Sequence, residues 1–234
     1  MTSQDDLRNK ANLALEGSKA NPQGRPIFVE FSGTPKSGKS TCIDIVSHFF
    51  RRAGFNVLAP TEGASKRTPY YLRNDLVAFN TWSASYALTH ILEGLYHSDK
   101  YHLAILDRGL FDALAWFQLL ESSGQITSEV RETIQNFISL EKWRSVIDAV
   151  FLFTADPTTS MERENADKLI DEPGRAMNPE FLEDLNRAYS EVRNSYGSEF
   201  KITDIDTSKS QDTTARSTAA QVTSSILDLF PDRS

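Results

Sequence analysis

The sequence predicts an α/β protein built on a five-stranded parallel sheet, with helices on both faces and a small lid insert. Three observations predict it. Five short apolar runs alternate with stretches of helical periodicity, a glycine-rich turn joins the first run to the first helix, and the third run closes on an aspartate. Strands that alternate with helices pair in parallel, because a parallel neighbour is reached only by a crossover long enough to hold a helix.

Residues 1–24 read as a polar N-terminal extension, either a short amphipathic helix from Leu7 to Leu15 or a frayed tail, ending in the turn-rich NPQGRP. The folded domain is expected over residues 25–234. Its first strand is Ile27–Phe31. A helix follows from about Lys39 to Ala53, with Ile43, Val46 and Phe50 on one face and Gly54 as its stop. Asn56–Ala59 is the second strand, halted by Pro60, and a long helical region from Tyr70 to Tyr96 comes next. The third strand, His102–Leu106, closes on Asp107, and helices are expected over 110–121 and 127–145. Ala149–Thr154 is the fourth strand, halted by Asp156-Pro157. A charged segment, a helix over Pro179–Tyr196, a strand near Phe200–Ile205 and a helix ending at Phe230 complete the order.

A chain of 234 residues supports one sizeable core. Its net charge of -7 argues against general nucleic-acid binding, which needs a basic face. The single cysteine, Cys42, rules out an intrachain disulfide and reads as a small buried helix side chain in a reducing compartment. No apolar run reaches the length of about 18 residues that reads as a membrane span, and the polar N-terminus is not a signal peptide. A cytoplasmic location is expected.

The segment Gly33-Thr34-Pro35-Lys36-Ser37-Gly38-Lys39-Ser40, continued by Thr41, fits the Walker A pattern G-x-x-x-x-G-K-[ST]. Glycines let successive N–H groups point into one concavity, and the following helix adds its N-terminal dipole. Lys39 reaches terminal phosphates in such a loop, and Ser40 offers a hydroxyl to Mg²⁺. The strand before and the helix after supply the required context, so a nucleoside triphosphate is expected here. Lys36 either adds charge near the phosphates or points to solvent, and solvent is the expectation.

The run LAILDRGLFD places Asp107 at the carboxyl edge of the sheet, where open α/β sheets bind ligands. Asp107 would hold the metal through water or orient the acceptor, and Arg108 would grip a phosphate with its planar fork. The plainer alternative is a helix cap at Asp107 beside a surface arginine. Asp112 reads as a site residue or only as a first-turn acid facing the helix dipole. The charged stretch MERENADKLIDEPGRAMN, about 161–178, breaks at Pro173-Gly174 and suits a lid that excludes water. Arg163, Lys168 and Arg175 are its candidate cations, and a solvated helical face explains them equally well.

Together these features resemble the thymidylate kinase and deoxynucleoside kinase branch of the P-loop kinases, over about Ile27 to Leu229. The resemblance is carried by GTPKSGKST, APTEG after the second strand, the strand-terminal DRG, the lid opening MERE and the late IDTS. It implies a three-layer P-loop NTPase fold, with ATP and Mg²⁺ as cofactors and phosphoryl transfer to a nucleoside monophosphate-like acceptor. A deoxynucleoside or other small-alcohol kinase is the near alternative. A regulatory ATP-binding protein without metabolite kinase activity is the alternative of another class. The resemblance also implies that Asp107 and Arg108 handle the acceptor phosphate, that Glu62 is the carboxylate able to act as base on a hydroxyl, and that Ile205–Ser208 borders the donor adenine. The acceptor would lie along the helix over 70–96, with Phe79, Trp82 and Tyr86 as stacking or core residues and Arg73 as a phosphate contact or surface arginine. A homodimer paired through helices is a further implication. Three departures stand out: Ser32 replaces the usual Glu before the loop, Pro60-Thr61-Glu62-Gly63 replaces Arg-Glu-Pro, and Gly109 stands where an aromatic follows the DR pair.

Overall fold

Each return of a parallel strand must cross a face of the sheet, so the order of strands decides which loops meet. A computed structural model of the protein describes residues 4–18, 24–59, 67–167, 177–208 and 215–231. Its strands are β1 (Ile27–Gly33), β2 (Val57–Leu58), β3 (Leu103–Asp107), β4 (Ile147–Thr154) and β5 (Ile202–Asp206). They form one parallel sheet in the order β2-β3-β1-β4-β5. The chain thus runs from β1 out to β2, back through β3, and then across to the far side of β1. That reversal opens a crevice at the carboxyl ends of β1, β3 and β4. Register aligns the crevice walls: Phe31 pairs with Asp107 on one side, and Gly33 with Phe153 on the other.

The helices are α1 (Gln4–Ser18), α2 (Lys39–Arg52), α3 (Leu76–Tyr96), α4 (Leu110–Ser122), α5 (Ser128–Ile138), the single turn α6 (Glu141–Arg144), α7 (Pro157–Asp167), α8 (Pro179–Tyr196) and α9 (Ala215–Leu227). Two apolar clusters lie on opposite faces of the sheet. One joins Phe28, Leu106, Leu110, Phe117, Leu185 and Val192 beneath α3, α4 and α8. The other joins Val29, Phe31, Val46, Phe50, Phe151 and Val222 beneath α2 and α9. Alternation along β1 sends Phe28 to the first cluster and Val29 and Phe31 to the second. By the same period Glu30 falls on the α4 face, with no exposure at all. A carboxylate there needs partners.

Several elements depart from the sequence reading. Of the two expectations for the N-terminus a helix forms, and Leu7, Ala11 and Ala14 of α1 pack into the second cluster beside α9. The helical region from Tyr70 divides into a short 3₁₀ turn, Tyr70–Leu72, and α3, because the Asp75 side chain accepts from the Ala78 N–H and caps a new start. The expected helix over 127–145 stops at Ile138, where the Trp143 indole N–H donates to the Phe137 and Ile138 carbonyls. The charged segment after β4 begins as helix α7. Asp156 accepts from the Thr159 N–H at 2.7 Å and Pro157 opens the first turn, so the pair read only as a strand stop is also a helix start. Glu62, with the rest of PTEG, lies outside the described residues, as do Lys168 and Arg175. Among the described residues no helix is long and apolar enough to cross a membrane.

Candidate active site

The glycine loop rises from the carboxyl end of β1. Gly33 has φ 131, and a Cβ there would lie 1.8 Å from the Phe153 carbonyl oxygen of β4, so only glycine fits. The next residue is held to the same strand, its Thr34 N–H donating to the Phe153 carbonyl at 3.1 Å. Lys36 (φ 59) and Gly38 (φ 86) are left-handed, which curls the loop into a cradle of N–H groups. Gly38 caps α2 without any side-chain bond to the first-turn N–H groups. Those donors face the cradle.

Lys39 is folded back into this loop. Its Nζ donates to the Gly33 carbonyl at 2.8 Å, the Thr34 carbonyl at 2.7 Å and the Ser37 hydroxyl at 3.3 Å. These partners are neutral. Burial, with the nearby Arg108 charge, lowers the ammonium pKa to about 7 despite Asp112 and Asp107. Beside it, Thr34 is fully buried and its hydroxyl oxygen has no hydrogen-bond partner. An uncapped helix start, an ammonium held only by neutral oxygens and an orphaned hydroxyl fit a polyphosphate. Ser40 and Thr41, both exposed, open α2 at the same rim.

The strand β3 delivers Asp107 and Arg108 to the crevice. Burial pushes the Asp107 carboxyl up, against the pull of Arg108 and Lys39. A serine hydroxyl with one carboxylate is the usual protein share of a Mg²⁺ site whose remaining ligands are phosphates and water, so Ser40 and Asp107 suit that ion. Arg108 sits at φ 63, a left-handed turn between β3 and α4, with its N–H donating to the Phe31 carbonyl at 2.9 Å. Its Nη1 donates to both Asp112 oxygens, at 3.0 and 2.9 Å, and its guanidinium lies 5.8 Å from the Trp116 ring centroid. Burial opposes the arginine charge, but Asp112, Tyr189 and Asp107 outweigh it and move its pKa up. Asp112 Oδ1 further accepts from the Tyr189 hydroxyl at 2.5 Å and the Gly33 N–H at 3.3 Å. The first-turn acid is therefore a hub.

Glu30 explains two of the departures in the motifs. Its carboxylate accepts from the N–H groups of Gly109, Phe111 and Asp112 at 3.1, 3.1 and 2.8 Å, and from the Ser32 hydroxyl at 2.6 Å. A side chain from β1 thus caps α4 internally. Burial pushes its carboxyl up, while Ser32 and the Asp112 and Phe111 N–H groups pull it back. A Cβ at Gly109 would lie 2.5 Å from Glu30 Oε2. Glycine follows the DR pair because Glu30 occupies the space a side chain would need.

The opposite rim is closed by α7 and the turn after β5. Arg163 donates to the Lys36 carbonyl at 3.0 Å, the Thr207 hydroxyl at 3.1 Å and the Thr207 carbonyl at 2.7 Å. Thr207 in turn donates its hydroxyl to the Ser37 and Thr154 carbonyls, both at 3.1 Å. Arg163 is thus bound to the back of the loop. Lys36, expected toward solvent, pairs with Glu164 at 3.1 Å. Ser208 accepts from the Asp156 N–H at 2.8 Å, so Ile205–Ser208 is tied to the start of α7 through Ser208 and to the glycine loop through Thr207.

Along α3, Trp82 and Tyr86 stack on each other at 5.1 Å and 10°, and Tyr86 meets His90 edge-on at 4.5 Å. The Arg67 guanidinium lies 5.8 Å from the Tyr86 ring centroid. Phe79 is half-buried, and the exposed Arg73 donates from Nε to the Thr68 carbonyl at 3.3 Å. Cys42 is buried in α2, and burial pushes its thiol up to about 12, which removes it as a nucleophile at neutral pH. Sequence reasoning missed Glu30 and Tyr189. A lone carboxylate inside VEF was a readable signal for the first; Tyr189 reads as an ordinary core aromatic of an amphipathic helix.

No protein-family profile matches the chain, and no curated protein does. Solved structures do. The deoxyadenosine kinase from M. mycoides with bound dATP superposes with a TM-score of 0.59 at 16% identity, over 86% of this chain and 99% of that one. The same enzyme with bound dCTP gives 0.58 at 17% identity, over 86% and 100%. With products dCMP and a flexible dCDP bound it gives 0.58 at 16%, over the same shares.

Proposed function

From a chain with the P-loop fold of the deoxynucleoside kinases, we propose an ATP-dependent kinase that phosphorylates a small nucleoside-type acceptor, with a deoxynucleoside first and a nucleoside monophosphate second. The observation that carries this reading is Lys39, a buried ammonium held only by loop carbonyls and a hydroxyl, at an uncapped helix start beside Arg108. The fold shared with structures that hold dATP and dCTP favours the deoxynucleoside.

In the reaction an acceptor oxygen attacks the γ-phosphorus, the bond to the β–γ bridging oxygen breaks, and ADP leaves with that electron pair. Mg²⁺, when bound, neutralises charge on the phosphate oxygens. Lys39 exchanges the Gly33 and Thr34 carbonyls for phosphate oxygens, which restores a full counter-charge to the ammonium. The loop N–H groups fix the donor, and Arg108 lies where charge spreads onto the moving group. A hydroxyl acceptor must also lose a proton. Asp107, its carboxyl pushed up by burial, and Glu62, placed by the resemblance, are the two bases available. A monophosphate acceptor is already anionic and needs neither. The resemblance, which would have Arg108 handle an acceptor phosphate, is what favours that second reading.

The test is a panel of deoxynucleosides and nucleoside monophosphates with Mg²⁺·ATP, run beside Lys39→Ala and Glu62→Gln. Product from a deoxynucleoside, lost in both variants, is expected. Product from a monophosphate that survives Glu62→Gln moves the assignment to the second reading. ATP binding with no product from any acceptor rejects the kinase and leaves a regulatory nucleotide-binding protein.

A further inference from the structure

Tyr189 lies on α8, the helix that follows the charged segment, and is 1% exposed. A buried phenol keeps its hydroxyl only if that group is paired. Here the hydroxyl bridges two other elements: it donates to Asp112 Oδ1 at 2.5 Å and accepts from the Gly33 N–H at 3.2 Å. The same Oδ1 receives Gly33 N–H and Arg108 Nη1. One carboxylate oxygen therefore gathers the first N–H of the glycine loop, the arginine of the DRG turn and a residue from α8.

We propose that Tyr189 is a positioning residue that fixes Arg108, through Asp112, relative to the glycine loop during phosphoryl transfer. The proposal rests on the kinase reading. Arg108 has a flexible side chain on a left-handed turn residue, and it remains 27% exposed while Asp112 is 4% exposed. The carboxylate is what sets the guanidinium in place, and Tyr189 with Gly33 sets the carboxylate. Burial and the adjoining Asp112 push the phenol well above its ordinary pKa, so it remains a donor at assay pH. Because Gly33 shares the junction, the distance between Arg108 and the Lys39 loop is fixed by the same contacts.

The test is a kinetic cycle in the full chain with Tyr189→Phe, Arg108→Ala and the double variant, using the acceptor found by the panel. Tyr189→Phe is expected to lower kcat about 10- to 100-fold with KM for ATP within about twofold, the signature of a contact used in the transition state. The double variant should be no slower than Arg108→Ala, because Tyr189 acts through that arginine. In ¹⁵N NMR, the slow rotation of the clamped Arg108 guanidinium should become fast in Tyr189→Phe. Unchanged kcat, losses that multiply in the double variant, or an unchanged Arg108 signal would each overturn the role. If Tyr189→Phe fails to fold, Asp112→Asn enters the same cycle with the same expectations. A wild-type protein inactive toward every acceptor overturns the kinase reading and this role together. A wild type that turns over beside an equally fast Tyr189→Phe overturns the role alone.

Discussion

An ammonium held by two carbonyls and a hydroxyl, as Lys39 is, has given up water without gaining a carboxylate. Its pKa falls from 10.5 to about 7. Between those values the unfolded chain carries a proton that the folded chain does not, so this group makes stability rise with pH across that window. Phosphate binding has the opposite demand, since it favours the charged form and raises the pKa again. ATP binding above about pH 7 should therefore take up a proton, and affinity should fall by up to about tenfold per pH unit from this group. Calorimetry in buffers of different ionisation enthalpy measures the uptake. Lys39→Ala should abolish it, and equal uptake in that variant would assign the proton elsewhere.

At the scale of elements, the joint between β1 and α4 is a single fitted pair. Glu30 caps the helix and fills the volume that Gly109 leaves open. Gly109→Ala should lose about 2 kcal/mol by crowding that carboxylate. Glu30→Ala should lose about 2 kcal/mol or more by leaving buried N–H groups unpaired. The double variant should be more stable than the sum by on the order of 1 kcal/mol, because one change makes the room the other needs. Urea unfolding of the three variants checks the coupling, and strict additivity would disprove it.

The same joint marks where sequence reading stopped. The loop from Gly33 to Ser40, the strand ending at Asp107 and the alternation of elements were legible, since each is written in neighbouring residues. Asp112 stayed open between a site residue and a dipole partner because its bonds run to Gly33 and Tyr189, each more than 70 positions away. Arg163 read as a lid cation or a solvated helix charge, and its bonds to Lys36 and Thr207 depend on how the glycine loop, α7 and the turn after β5 meet. The breaks at Asp75 and Trp143 come from side chains that compete for helix-end groups, an effect that averaging over a helical window hides.

For the molecule as a whole, α1, the helical one of two readings of a polar N-terminus, is part of the second core cluster. Ala11 has no exposure, and Leu7 and Ala14 lie beside it against the layer that holds Leu227 and Phe230. A carboxylate cannot be buried there without a partner. Ala11→Asp should therefore undock α1 and lower stability by about 3 kcal/mol, read as a reduced melting temperature. Limited proteolysis should cut within residues 4–18 of that variant and spare the rest. A variant that melts like the wild type and resists cleavage would show that α1 adds nothing to the core.

Thr207 gives the site a place in time. Its hydroxyl and carbonyl bind Ser37, Thr154 and Arg163, so the rear wall of the glycine loop is assembled from the end of β4, from α7 and from the turn after β5. A nascent chain carries every letter of GTPKSGKS once Ser40 has been made. The wall behind those letters arrives some 170 residues later, with the last strand of the sheet. Synthesis adds about 5–20 residues per second, so the growing polypeptide spends on the order of ten seconds or more owning the motif without owning the pocket. On the proposed function, a nucleotide would reward only a chain that is nearly finished, a late inspector of this protein rather than its scaffold.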